Sequence, residues 1–354
     1  MKIFISDKID KGNFFEDFRL GQKIVHPTPR TVTEGDVSFY TALYGPRFAF
    51  NSSDIFAMNL GLDAAPLDDF LLFHIIFGRS VSDISLNAIA NLGYASCRFS
   101  TPVYPGDTVK ATSSIIGLKK NSNNKTGIVW VHTEGTNQED KPVIDYISWS
   151  MLPINNHDAP SQGYLTPELD IMAATKEIPI PSALDLSGYD TELSGSQHLW
   201  DDYETGERLD HIAGFTVEES EHQMAVRLYQ NSSRVHFDAP MTKDTRFGKR
   251  LVYGGHVISI ARALSFNGLA NAFKVATVNS ATHVAPVFAG DTLYAWSEIL
   301  GKEQIPHRTD LGALRLRTVV CKNQSGAGFP YRSGEDEYDH TVVLDLDYTV
   351  LIPT

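Results

Sequence analysis

The sequence predicts an α+β protein that carries one unit twice, a long buried helix packed against an antiparallel sheet. Three observations predict it. A series of short matches recurs in order along the chain. Phe15-Glu16-Asp17-Phe18 answers to Trp200-Asp201-Asp202-Tyr203, Gly21 to Gly206, His26 to His211, Thr31-Val32 to Thr216-Val217 and Tyr44 to Tyr229. Further on, 87–91 answers to 267–271, 102–108 to 286–292, Gly117 to Gly301, Asn137-Gln138 to Asn323-Gln324, and Asp145-Tyr146 to Asp347-Tyr348. Over most of the chain the partners stand 180–187 residues apart, an ordered series that marks an internal repeat. The second observation is the stretch 254–271, where Val257, Ile258, Ile260, Ala261, Leu264 and Leu269 spread around the helix circumference, as in a buried helix. The third is the period-two alternation of 313–320 and 343–350, which predicts strands with one face on a core.

The repeat divides the chain into halves at 1–155 and 196–354. Between them, 156–195 carries Pro160, Pro167, Pro179 and Pro181 and reads as an extended linker. Within each half, a turn-rich opening leads to a helix start such as Thr31-Val32-Thr33-Glu34, then a polar loop, the long helix and the alternating strands. With 43 acidic and 30 basic residues, the net charge of −13 excludes bulk binding to nucleic acid or an anionic membrane, though a local basic patch can hold a phosphorylated ligand. Two cysteines, Cys97 and Cys321, exclude a disulfide scaffold, and no metal-ligand spacing is present. No apolar run approaches the ~18 residues of a membrane span. The opening MKIFISDKID lacks the apolar core of a secretion signal, so a cytoplasmic protein is expected. Exposed sheet edges predict a homodimer or larger homo-oligomer.

The Pro-Val-x-x-Gly-Asp-Thr turn, present at Pro102–Thr108 and again at Pro286–Thr292, resembles that of the MaoC-like hotdog-fold dehydratases. In that family an antiparallel sheet wraps one central helix, so the resemblance implies a tandem, or double, hotdog. More narrowly, 229–237, Arg246-Phe247-Gly248, 251–256 and 294–300 are similar to the mesaconyl-CoA hydratases, also called β-methylmalyl-CoA dehydratases. The resemblance implies reversible hydration of a branched enoyl-CoA thioester, with no cofactor beyond the coenzyme A carried by the substrate.

It also implies roles for particular residues. The family places an Asp and a His around one water ahead of the central helix. Here the His position is His236, and the Asp position is Asn231, an amide that holds a water but cannot take its proton. His236 then works alone, or a carboxylate from elsewhere, such as Asp238 or Glu298, completes the pair. Asp238 has the ordinary alternative of capping a following turn. Arg234 replaces the family's usual Pro and is expected to clamp the substrate's free carboxylate, the alternative being a surface ion pair. Tyr253-Gly254-Gly255 opens the central helix, where unsatisfied amides meet the thioester oxygen and Tyr253 borders the substrate. Arg246, Lys249 and Arg250 are candidates for the coenzyme A phosphates. His256 reads as a packing or supporting histidine.

Aligning Phe50 with Phe237 sets Ala49 opposite His236, Arg47 opposite Arg234 and Phe73-His74 opposite Tyr253-Gly254. The N-terminal half is therefore expected to be catalytically degenerate and to form part of the acyl-CoA cleft, with Arg47 contributing across the interface. Three other readings remain: a hydratase of simpler trans-2-enoyl-CoA substrates, an acyl-CoA thioesterase, and a non-catalytic acyl-CoA-binding double hotdog. The interior of 254–271 holds no Asp or Glu, which counts against the thioesterase.

Overall fold

The computed structural model describes residues 8–160, 163–169, 177–335 and 337–354. Residues 1–7 of the opening segment, and 161–162 and 170–176 of the linker, lie outside the described residues. The N-terminal half contains strands β1 (Lys23–Val25) and β2 (Arg30–Thr31), helices α1 (Glu34–Tyr44), α2 (Ala49–Ser52), α3 (Asp54–Asn59) and α4 (Asp69–Ile84), then β3 (Ala90–Phe99), β4 (Thr108–Lys120), β5 (Thr126–Thr136) and β6 (Pro142–Pro153). A short helix α5 (Thr191–Ser194) precedes the C-terminal half. That half runs β7 (Arg208–Thr216), α6 (Glu219–Leu228), α7 (Ala239–Lys243), α8 (Gly254–Leu269), β8 (Lys274–His283), β9 (Thr292–Gln304), β10 (Leu311–Lys322) and β11 (Val342–Pro353).

The expected starts are present. Thr33 caps α1 with a reciprocal hydrogen bond to Asp36, and Asp238 caps α7. Helix α8 stops short of the 271 expected from the sequence, since Asn267 and Gly268 leave helical geometry and Gly268 takes φ 102°. Helices α4 and α8 are each buried over most of their length, because each lies between its own sheet and the other half.

The two sheets are one. Strand order is β1-β4-β5-β6-β3-β8-β11-β10-β9-β7, with β2 paired to β4, and all pairings are antiparallel. The halves join where β3 pairs with β8, Gly93 opposite Thr282 and Arg98 opposite Thr277. Shifting the N-terminal numbers by 184 maps this ladder onto itself, so the halves are related by a pseudo-twofold axis through it.

That register corrects three sequence alignments. Asn91 corresponds to Val275, so 87–91 and 267–271 are displaced by four residues; Pro153 and Pro353 end equivalent strands, 200 apart, so the Asp145-Tyr146 match is displaced by two. Most consequentially, α2 corresponds to the 3₁₀ turn Arg234–His236. The residues before them, Phe48 and Ser233, share their backbone angles (φ −64°, ψ 112° and φ −66°, ψ 112°). The residue opposite His236 is therefore Asn51, not Ala49.

The linker lies along the body where it is described. Leu165 bridges to Leu118, and Ile178, Leu184 and Leu186 are buried against Phe50, Phe56 and Phe273. No helix among the described residues is long and apolar enough to cross a membrane.

One glycine sets how closely the halves approach. A Cβ at Gly78, in mid-α4, would overlap the Tyr229 carbonyl. Intrinsic propensity favours Ala over Gly in a helix by ~1 kcal/mol. Gly78→Ala is nonetheless expected to destabilise by about 1–3 kcal/mol, because overpacking dominates; a stabilised variant in urea unfolding would contradict this packing.

Candidate functional site

A cavity of about 280 Å³ opens between the halves. Its C-terminal wall is built from the 231–236 loop, the start of α8 and the end of β8; its N-terminal wall comes from Phe77 and Val81 of α4, from Ser85 just past its end, and from 88–92 and Tyr94 around β3. Of the residues singled out from the sequence, Asn231, His236, Arg246, Tyr253 and Gly254 line it.

His236 is held by its backbone turn and one hydrogen bond. Nδ1 lies 2.8 Å from the Leu251 carbonyl. A carbonyl only accepts, so Nδ1 carries the proton and the neutral ring keeps its Nε2 lone pair free. Burial pushes the ring down to about 4, overcoming the opposing effect of the Leu251 carbonyl. The free ring is thus a neutral base at pH 7 and departs from the ordinary value near 6.5. Asn231 is fixed in the same manner. The Ser233 amide donates to its Oδ1 at 2.9 Å, leaving Nδ2–H₂ as the remaining donor. The carboxylates proposed as substitutes lie elsewhere. Asp238 caps α7, Glu298 is 3.6 Å from Arg208, and no Asp or Glu is among the described residues lining the cavity.

The two glycines have distinct reasons. A Cβ on Gly254 would overlap the His283 ring, and one on Gly255 would overlap His74 and Tyr253. Only Gly254 faces the cavity. Both belong to the first turn of α8, whose amides have no partner within the helix and carry its positive end. His256 is buried, with Nδ1 2.8 Å from the Tyr44 hydroxyl, which also meets Tyr229 at 2.8 Å. His74 sits one turn inside α4, since Asp68 is the residue that corresponds to Tyr253.

The basic residues separate. Arg246 reaches the cavity wall and stacks on Phe247, 4.4 Å from the ring centre. Lys249 lies 4.2 Å from the centre of Phe288, and Arg250 pairs with Glu219. Arg234 is exposed beside the mouth, 3.3 Å from Asn87 Oδ1, and does not line the cavity. Arg47 is displaced further: its guanidinium covers Phe266, 4.3 Å from the ring centre, away from the cavity lining. Its alignment with Arg234 rested on the loop shift that the backbone removes. Sequence reasoning missed His283, Asn91 and Tyr94, all in the cavity wall. For His283 a signal existed, because the corresponding residue in the first half is Phe99.

The equivalent space in the N-terminal half is filled. Ser233, Val235, Val81 and Ile89 of the cavity correspond to Phe48, Phe50, Phe266 and Phe273. Phe48 and Phe266 meet edge to face at 5.3 Å, Phe50 and Phe273 pack at 5.0 Å, and the Arg262 guanidinium covers Phe48 at 3.4 Å. Asn51 takes the histidine's place and its backbone contact. Its Nδ2 donates to the Pro66 carbonyl at 3.1 Å, as His236 does to Leu251.

A double hotdog with one histidine loop set against the amino end of its central helix defines the class of MaoC-like dehydratases. The mesaconyl-CoA hydratase family model matches residues 4–335. The chain is 56% identical to the β-methylmalyl-CoA dehydratase of Chloroflexus aurantiacus, covering 99% of both chains, and 50% identical to the mesaconyl-CoA hydratase of Cereibacter sphaeroides, covering 98% of this chain and 99% of that one. A solved structure described as a putative MaoC domain protein dehydratase from Chloroflexus aurantiacus superposes with a TM-score of 0.96 at 56% identity over 98% of this chain and 99% of that one. A Mycobacterium tuberculosis protein described as a double hotdog superposes at 0.76 with 25% identity, over 97% and 99%. The chain belongs to the mesaconyl-CoA hydratase family.

Buried histidines also tie stability to pH. Burial lowers His211, His236 and His283 to about 4, and His74 and His256 to about 3. Below ~6.5 the unfolded chain binds protons that the folded rings refuse, so stability falls with falling pH. Each ring contributes up to about 1.4 kcal/mol per pH unit down to its folded value. Urea unfolding between pH 7 and 5 is expected to show that decline; a flat or rising profile would contradict neutral burial.

Proposed function

We propose that the protein catalyses the reversible addition of water to mesaconyl-CoA, giving β-methylmalyl-CoA. The observation that carries this reading is the neutral His236 ring, its Nε2 lone pair free, lining the same cavity as Asn231 and the first turn of α8. Family membership supplies the substrate.

The substrate's thioester oxygen lies at the amino end of α8, where the Gly254 amide and the helix dipole meet the charge that builds up as an enolate forms. Asn231 Nδ2 donates to the attacking water, turning the water's own hydrogen toward His236. Nε2 removes that proton as the oxygen bonds to the β-carbon. The imidazolium then returns the proton to the α-carbon, so the ring ends as it began and one water has been added. One imidazole serves both halves of the transfer, in keeping with a cavity whose described lining holds no carboxylate. Arg246 at the wall serves the coenzyme A moiety, with Lys249 beside it; Arg250 is occupied by Glu219. The N-terminal half contributes wall and no proton-transfer group, Asn51 standing where the second histidine would be.

His236→Gln keeps a side-chain donor for the Leu251 carbonyl and loses the base. Loss of the enoyl absorbance at saturating mesaconyl-CoA is expected to slow by about 10²–10⁴-fold with an unchanged unfolding curve. Near-normal turnover would refute the assignment, and release of free thiol at the wild-type rate of substrate loss would replace it with thioester hydrolysis. Because His236 must be neutral to accept the water's proton, kcat/KM for hydration should hold from pH 7 down to about 5 and fall only toward 4. A midpoint near 6.5 would place the working ring in water.

A further inference from the structure

One wall of the cavity carries polar atoms that nothing in the protein satisfies. The side-chain nitrogen and oxygen of Asn91, and Nε2 of His283, are shielded from solvent without a hydrogen-bond partner. The Tyr94 hydroxyl approaches that of Tyr253 but makes no well-formed hydrogen bond, and its ring packs against His283, 5.7 Å between centres. Unpaired buried polar groups are costly, so such a cluster in an otherwise apolar wall marks the place of a ligand's polar group. The pseudo-twofold supplies a control within the same chain. The positions equivalent to Asn91, Tyr94 and His283 are Val275, Val278 and Phe99, all buried in the core. The three polar side chains occur only in the half whose cavity is open.

We propose that Asn91, Tyr94 and His283 form the subsite for the substrate's distal carboxylate, in place of the exposed Arg234; this rests on the hydratase reading above. The chemistry matches by count. Asn91 Nδ2, the Tyr94 hydroxyl and His283 protonated at Nε2 offer donors, and a carboxylate only accepts. His283 lies directly against Gly254, so the subsite adjoins the amino end of α8. The amino end of α8 adds a favourable field for an anion. Asn91 Oδ1 is left to accept from the hydroxyl that hydration creates beside that carboxylate. Two of the three residues belong to the N-terminal half, which thereby sets specificity without taking part in proton transfer.

The test compares two saturated ligands that differ only in the group concerned, 2-methylsuccinyl-CoA and 2-methylbutyryl-CoA, titrated by calorimetry into the full-length protein. The wild type should bind the carboxylated ligand at least ~10-fold more tightly. Asn91→Leu, Tyr94→Phe and His283→Leu should each erase most of that preference and leave affinity for the neutral ligand within about a factor of two to three. No wild-type preference, equal losses against both ligands, or a preference lost on Arg234→Met instead would overturn the subsite. Neither ligand has a double bond, so the comparison is independent of turnover. Failure to hydrate mesaconyl-CoA would refute the activity by itself and leave the binding comparison readable.

Discussion

The pairing of β3 with β8 is the constraint on which the rest of the molecule depends. It fuses two sheets into one, sets α4 against α8, and carries the start of β3 to the end of β8. Every polar group of the cavity follows from that juxtaposition. His236 and Gly254 come from one half, while the facing wall, with Asn91 and Tyr94, comes from the other. A single hotdog of this chain would present the histidine loop to solvent rather than to a pocket. The close approach at Gly78 of α4 and the hydrogen bond between the Tyr44 and Tyr229 hydroxyls hold the loop against the opposing half. The geometry of the reaction centre is thus a property of the interface between repeats.

Burial does much of the chemical tuning. The same desolvation that holds His74 and His256 neutral in the core keeps His236 neutral in the cavity wall. Hydrogen bonding then decides which nitrogen is free. The Leu251 carbonyl consumes Nδ1 of His236, and the Ser233 amide consumes the oxygen of Asn231, so each side chain presents one defined face to a ligand. An amide and an imidazole are thereby the two polar side chains that the 231–236 loop presents to the cavity.

Much of this was legible in the residues. The repeat, the long apolar helix, the alternating strands and the His236 loop all declare themselves through periodicity or motif. What was not legible depended on register. The reading that set Ala49 opposite His236 required a two-residue deletion that the backbone does not contain, and with it went the proposed role of Arg47. Asn91, Tyr94 and His283 escaped because a strand residue's importance depends on what faces it. Nothing in the local pattern around Asn91 says that a cavity, rather than packed side chains, lies beyond it. Arg234 had the right charge and the right neighbours in sequence, but its long side chain reached the rim instead of the interior.

Four phenylalanines and a guanidinium occupy the mirror-image space, so no single substitution there opens a second cavity. Reinstating an imidazole at Asn51 would return a base to a site with no room for an acyl chain, since Phe48, Phe50, Phe266 and Phe273 already fill it and Ile178, Leu184 and Leu186 seal it from outside. The space that is a cavity in one repeat is a second hydrophobic core in the other. The N-terminal copy works as a mechanical backing for the one that keeps an open cavity.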